Sequence, residues 1–134
     1  MQEITISSRR PIELIDITER VKQIIYNTDI TSGLCSLYIP HATAGIIINE
    51  NEPGLIKDFE RELKNLFIDK DFEHNRIDNN ARSHILSGFI GVNQTIPFQN
   101  KKLRLGTWQQ IFFVELDGPR SQREIIINLI QDKS

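Results

Sequence analysis

Two stretches near the C-terminal end restrict the fold more than any other feature of the chain. Gln109 to Leu116 and Glu124 to Ile130 are apolar at odd and even positions alike. Successive side chains of a strand point to opposite faces, so strands of this kind need cover on both sides. A single sheet with one face in water would show cleaner alternation. Two packed sheets, a helix layer or a subunit interface must therefore supply the second cover. Gly33 to Ile39 and Ala44 to Ile48 share the pattern and read as two further central strands, joined through Pro40-His41-Ala42-Thr43.

Three helices and several more strands accompany them. Ile4 and Ile6 alternate with polar neighbours, as in a strand with one buried face. Asp16 with Glu19, or Thr18 in place of Asp16, signals a helix start, and Val21, Ile24 and Ile25 form the stripe of that short helix. The clearest helix starts near Asn51 and Pro53, with Leu55, Ile56, Phe59, Leu63, Leu66 and Phe67 on one face. Its other side carries Lys57, Asp58, Glu60, Arg61, Glu62 and Lys64, the pattern of a solvated face. After a polar loop from Asp69 to Ile77, Asp78 is placed to cap a third helix that stops at Gly91. Gln94 to Phe98 and Leu103 to Leu105 read as strands. The composite is a single α+β domain over residues 1–134, with no repeat or linker dividing it.

Charge and cysteine content exclude several functions. Sixteen Lys and Arg against eighteen Asp and Glu leave a net charge of −2, without the basic excess that bulk attraction to nucleic acid needs. No apolar run nears the roughly 20 residues that cross a bilayer, and Met1 to Ser7 lacks signal-peptide character, so a soluble, cytoplasmic protein with no membrane partner is expected. Cys35, the one cysteine, lies in an apolar run and reads as a buried thiol, which rules out a thiolate metal cluster.

The chemistry has to come from few residues. His41 sits between two strands, His74 in the polar loop and His84 on the third helix; imidazole suits zinc and similar divalent ions, although no local pair such as His-x-x-x-His is present. Glu50 closes the strand after His41, either as a helix-entry acid or as a catalytic carboxylate. Asn79 precedes the third helix, whose free N–H groups favour anions, with plain capping by Asp78 as the competing reading. Leu105-Gly106-Thr107-Trp108-Gln109 sets the only tryptophan beside two polar side chains, and a tryptophan is more often core than substrate platform. Asp117-Gly118-Pro119-Arg120 is a turn presenting a guanidinium whose fork matches phosphate or carboxylate. No Gly-rich phosphate loop or Gly-x-Ser-x-Gly elbow occurs.

Taken in order, these motifs resemble the YjbQ family. Pro40-His41-Ala42-Thr43-Ala44-Gly45 with Asn49-Glu50, His74 with Asp78-Asn79, Ala81 and His84, Leu105 to Gln109, and Glu115-x-Asp117-Gly118-Pro119-Arg120 are similar to its successive blocks. Asn100-Lys101-Lys102 departs from the family's common glycine turn before Leu103. The resemblance implies a β-sandwich-like α+β domain that assembles as a homotrimer. It implies a divalent metal (zinc or magnesium) on His41, His74 and His84, and anion contacts from Asn79, Thr107, Gln109 and Arg120. Family members are labelled secondary thiamine-phosphate synthases, joining a pyrimidine pyrophosphate to a thiazole phosphate with loss of pyrophosphate. The standard enzyme for that reaction is a TIM barrel of about 250 residues, too long for this chain. The expected function is thus an enzyme on a small phosphorylated metabolite, with Glu50 and His41 as catalytic groups. A phosphorylated-ligand or metal-binding module and a metal-dependent hydrolase stand as alternatives.

Overall fold

In the computed structural model, which describes residues 1–133, two antiparallel sheets pack face to face. Ser134, the last residue of the single-domain span, lies outside the described residues. In chain order the elements are β1 (Gln2–Ile6), β2 (Glu13–Asp16), α1 (Thr18–Tyr26), β3 (Gly33–Tyr38), β4 (Ala44–Asn49) and α2 (Pro53–Asn65). There follow a 3-10 turn (Glu73–Arg76), α3 (Ala81–Ile90), β5 (Asn93–Gln99), β6 (Lys102–Leu103), β7 (Gln110–Glu115) and β8 (Arg123–Gln131). The larger sheet has the order β1-β8-β3-β5-β6 and the smaller β2-β7-β4.

The doubly apolar β7 has the two covers its sequence demands. Ile111 and Phe113 point into the sandwich with Ile46, Ile96, Phe98, Ile125 and Ile127. Phe112, Val114 and Leu116 point outward, where Leu86 and Ile90 of α3 and Ile56, Phe59 and Leu63 of α2 close over them. Burying side chains of this size contributes about 1.5–3 kcal/mol each, so β7 is the principal anchor of both layers. Cys35 is fully buried between the sheets, and burial pushes its thiol up to about 12.

Several local expectations need correction. β4 is an edge strand of the smaller sheet rather than a central one, and β3, though central, leaves Leu34 and Tyr38 exposed on its outer side. β2 was not foreseen: its four residues are too short to show a period, and they abut the helix-start signal at Asp16. The Asp16 carboxylate accepts from the N–H and hydroxyl of Thr18 at 2.9 and 2.6 Å, so it braces α1 from one residue before the cap position. Glu60 leaves the solvated face of α2, accepting the Leu14 N–H at 2.9 Å and pairing with Arg10. Asp78 does not cap α3; the Asn75 side-chain oxygen takes the Ala81 N–H at 3.0 Å instead. Gly91 ends α3 with φ +92°, a conformation that favours glycine.

Candidate functional site

The strand register decides which candidate residues can meet. In the β4–β7 ladder Ala44 lies opposite Glu115 and Asn49 opposite Gln110. At 3.4 Å per residue the two ends of β4 are about 17 Å apart. Glu50, Thr107 and Gln109 therefore gather at one end of the sandwich, and His41 and Arg120 at the other. Within one chain Glu50 and His41 do not form a catalytic pair. Gln109 is occupied locally: its side-chain oxygen accepts the Gly106 N–H at 2.8 Å and closes that turn. Trp108 is 71% exposed, which overturns its reading as core.

The His41 end is built around a buried ion pair that joins the two sheets. Glu115 faces inward from β7 and Arg123 faces inward from β8. The Arg123 Nε donates to Glu115 Oε1 at 2.9 Å and its Nη2 donates to Oε2 at 2.5 Å. Ser8 Oγ donates to Glu115 Oε1 at 2.6 Å, and the Asp117 N–H donates to Oε2 at 2.9 Å. Burial alone would push the Glu115 carboxyl up. The hydrogen bonds from Arg123, Ser8 and Asp117 outweigh it and hold the group below the usual carboxylate range. Arg123 Nη2 also donates to the carbonyl and hydroxyl oxygens of Thr43, just before β4. Among the described residues no buried side-chain nitrogen or oxygen lacks a partner, so this cluster is closed and its role is to fix the strands around it.

That lock positions the Asp117–Arg120 turn. The Arg120 N–H donates to Ser8 Oγ at 2.8 Å, while Gly118 sits so tightly that a Cβ there would lie 2.2 Å from the Arg10 carbonyl oxygen. The Arg120 guanidinium folds back on the turn, donating from Nη2 to Asp117 Oδ2 at 3.0 Å and from Nε to the Asp117 carbonyl at 2.9 Å. Asn80 Nδ2 donates to the same carboxylate oxygen at 3.0 Å, which turns the Asn80 carbonyl toward His74 Nε2 at 2.9 Å. A carbonyl oxygen only accepts, so His74 Nε2 carries the proton of this contact. His84 stands edge-on to His74 with ring centroids 4.8 Å apart. A chain of contacts thus runs from His74 through Asn80 and Asp117 to Arg120.

His41 lies outside that chain. Its Nε2 accepts the Glu124 N–H at 2.9 Å, which requires a neutral ring protonated at Nδ1. Burial, reinforced by the nearby Arg123 charge, holds the imidazole below its ordinary value. A metal ion needs ring lone pairs, and Nε2 of His41 already accepts the Glu124 N–H. Among the described residues no three His, Cys, Asp or Glu side chains are grouped to hold an ion. The three histidines are not one donor set within the chain.

Asn79 and Asn80 border a cleft of about 240 Å³ beside the start of α3, lined also by Lys70, Phe72, Asn75, Arg82 and Ser83. Its charged lining residues, Lys70 and Arg82, are both cationic. The sequence profile of the UPF0047 protein YjbQ-like family matches residues 2–132, almost the whole described chain. The chain belongs to the YjbQ family. Among its relatives in that family, a UPF0047 protein of Methanothermobacter thermautotrophicus is 44% identical over 91% of this chain and 86% of its own length. The UPF0047 protein YugU of Bacillus subtilis is 37% identical over 91% and 93%. The crystal structure of a YbjQ-like protein from Sulfolobus solfataricus superposes with a TM-score of 0.94 at 40% identity, covering 98% of this chain and 96% of that one. A family structure from Clostridium acetobutylicum gives 0.90 at 36% identity, covering 97% and 100%. The two-sheet, three-helix architecture of this YjbQ-family chain is therefore shared with solved relatives.

Sequence reasoning missed Ser8, Lys70, Asn75, Arg82 and Arg123. For Arg123 a signal existed: Arg123 keeps step with Ile125 and Ile127, as Glu115 does with Ile111 and Phe113, which puts both charges on inward faces. Two inward charges of opposite sign on neighbouring apolar strands imply a buried pair. The cleft carried no such signal, because Lys70 and Arg82 come from separate segments.

Proposed function

We propose that the cleft at the start of α3 binds the anionic group of a small phosphorylated metabolite, with His74 as the proton-transfer group beside it. The observation that carries this reading is the fixed orientation of His74, through Asn80 and Asp117, next to a cleft whose charged lining residues are Lys70 and Arg82. Cations and amide donors grouped at a helix start suit a phosphate ester. The volume lies just below the about 300–1,000 Å³ of ordinary ligand sites, which selects a small molecule. Thiamine-phosphate synthesis fits as the reaction, since both of its substrates carry phosphate. The position of Glu50 at the far end favours a second reading, binding without turnover, because one chain lacks the carboxylate beside His41 that catalysis was expected to use. A second copy of the chain would cover the exposed Leu34, Tyr38 and Ile130 of the larger sheet, in line with a homotrimer.

The test is calorimetric titration with inorganic pyrophosphate and thiazole phosphate, paired with a chromatographic assay for thiamine phosphate. Arg82→Ala and Lys70→Ala are expected to weaken anion binding about tenfold each, and His74→Ala to abolish turnover while leaving affinity in place. Binding without any product supports the module reading. Anion affinity indifferent to Lys70 and Arg82 removes the site altogether.

A further inference from the structure

The turn between β5 and β6 is conformationally expensive for its sequence. Gln99 pairs with Lys102, so Asn100 and Lys101 alone make the connection, with φ of +53° and +61°. A two-residue hairpin with both central residues at positive φ is most easily built from Asn-Gly. Asparagine tolerates its place, but lysine stands where glycine would be unstrained. Lys101 is moreover half-buried rather than projecting from the tip, and its N–H is tied to the Thr31 carbonyl at 2.8 Å.

The strained lysine faces a groove. Between this turn and α1 lies a space of about 390 Å³ lined by Lys22, Gln23, Tyr26, Lys101, Lys102 and Leu103. Three of those six residues are cationic and none is acidic, in a chain whose net charge is −2. Lys22 stands 3.7 Å from the Glu19 carboxylate, with both side chains well exposed. Tyr26, 68% exposed, and Leu103 also line the groove. Lysines on an edge strand discourage sheet-to-sheet association, and that accounts for Lys102 on β6. It does not account for Lys101, which lies in the turn at φ +61° and lines the groove.

We propose that this groove binds a small phosphate ester bearing a flat ring, the phosphate among Lys22, Lys101 and Lys102 and the ring against Tyr26. Ammonium groups bind phosphate as mobile point charges, and an aromatic face stacks a planar ring without demanding one particular ring. The site shares no residue with the α3 cleft, so it stands or falls independently of the proposed function.

Adenosine 5′-monophosphate, inorganic phosphate and adenosine serve as probes, titrated into the full chain by calorimetry. The nucleotide is expected to bind more tightly than either half alone. Lys101→Gly is the informative variant, because glycine suits the turn: the thermal midpoint does not fall while nucleotide affinity drops about tenfold, the effect of losing one charge-assisted contact. Tyr26→Ala is expected to weaken the nucleotide and leave inorganic phosphate unchanged. Lys57→Ala, on the exposed face of α2 and outside both clefts, leaves nucleotide binding intact. No binding at millimolar nucleotide, or binding unaffected by both Lys101→Gly and Tyr26→Ala, overturns the proposal.

Discussion

Replacing Arg123 by methionine would leave the Glu115 carboxylate at 0% exposure with only Ser8 and the Asp117 N–H as partners. Removing one member of a buried ion pair costs about 3–5 kcal/mol, since the remaining charge is desolvated without compensation. For a domain of this length the entropy of unfolding is about 0.28 kcal/mol per kelvin, so the thermal midpoint should fall by about 11–18 °C. The acid limb gives a second readout. The native Glu115 pKa lies below its unfolded value. Its contribution is therefore fully present above the unfolded pKa of about 4.3 and is lost as pH falls through the native value. In Arg123→Met the desolvated carboxyl shifts the other way, so protonation relieves the variant and its deficit shrinks as pH drops from 7 toward 4.5. Urea unfolding followed by circular dichroism at several pH values measures both effects. A deficit below about 1 kcal/mol at pH 7, or one independent of pH, would mean that Glu115 and Arg123 do not depend on each other as described.

His41 should titrate below its unperturbed value of about 6.5. Its stabilising effect is present above that value and declines as pH falls through the native pKa, when the ring can no longer accept the Glu124 N–H beside Arg123, Arg120, Glu115 and Glu124. Proton NMR of the ring with hydrogen exchange at the Glu124 amide checks this, and a pKa above about 6.5 would contradict it. Trp108→Ala should change stability by less than about 0.5 kcal/mol, because the indole lies mostly in water. Native fluorescence should match a solvent-exposed indole; a blue-shifted maximum would show that another copy covers it.

How far the sequence could be read depended on whether the information was local. The apolar runs of β7 and β8 were enough to demand two covers; the structure supplies β7 with both, while the outer face of β8 stays partly open at Ile126 and Ile130. Helix limits held where a breaker was present, as at Pro53 and Gly91. They failed where a competing side chain acted from outside the helix, as when Asn75 replaced Asp78 at the start of α3. The Asp117–Arg120 turn was legible as a turn, but its purpose was not. The partners that aim it, Ser8 and Asn80, are distant in sequence; Ser8 meets it beside the β1–β8 pairing and Asn80 through the packing of α3 on the smaller sheet. Likewise the order of motifs was visible, whereas the separation of Glu50 from His41 follows from the direction of β4 against β7.

The position of β8 bears on how the protein is made. β8 lies between β1 and β3 in the larger sheet, with Ile4 opposite Ile125 and Cys35 opposite Leu129. Until Arg123–Gln131 has been synthesised, β1 has no neighbour in that sheet and one side of β3 is bare. A nascent chain therefore waits with two open β edges and an apolar interior lacking Ile125 and Ile127. Such long-range pairing slows folding and leaves partly made chains prone to association. Translation pauses between β7 and β8 should accordingly raise aggregation more than pauses after β8.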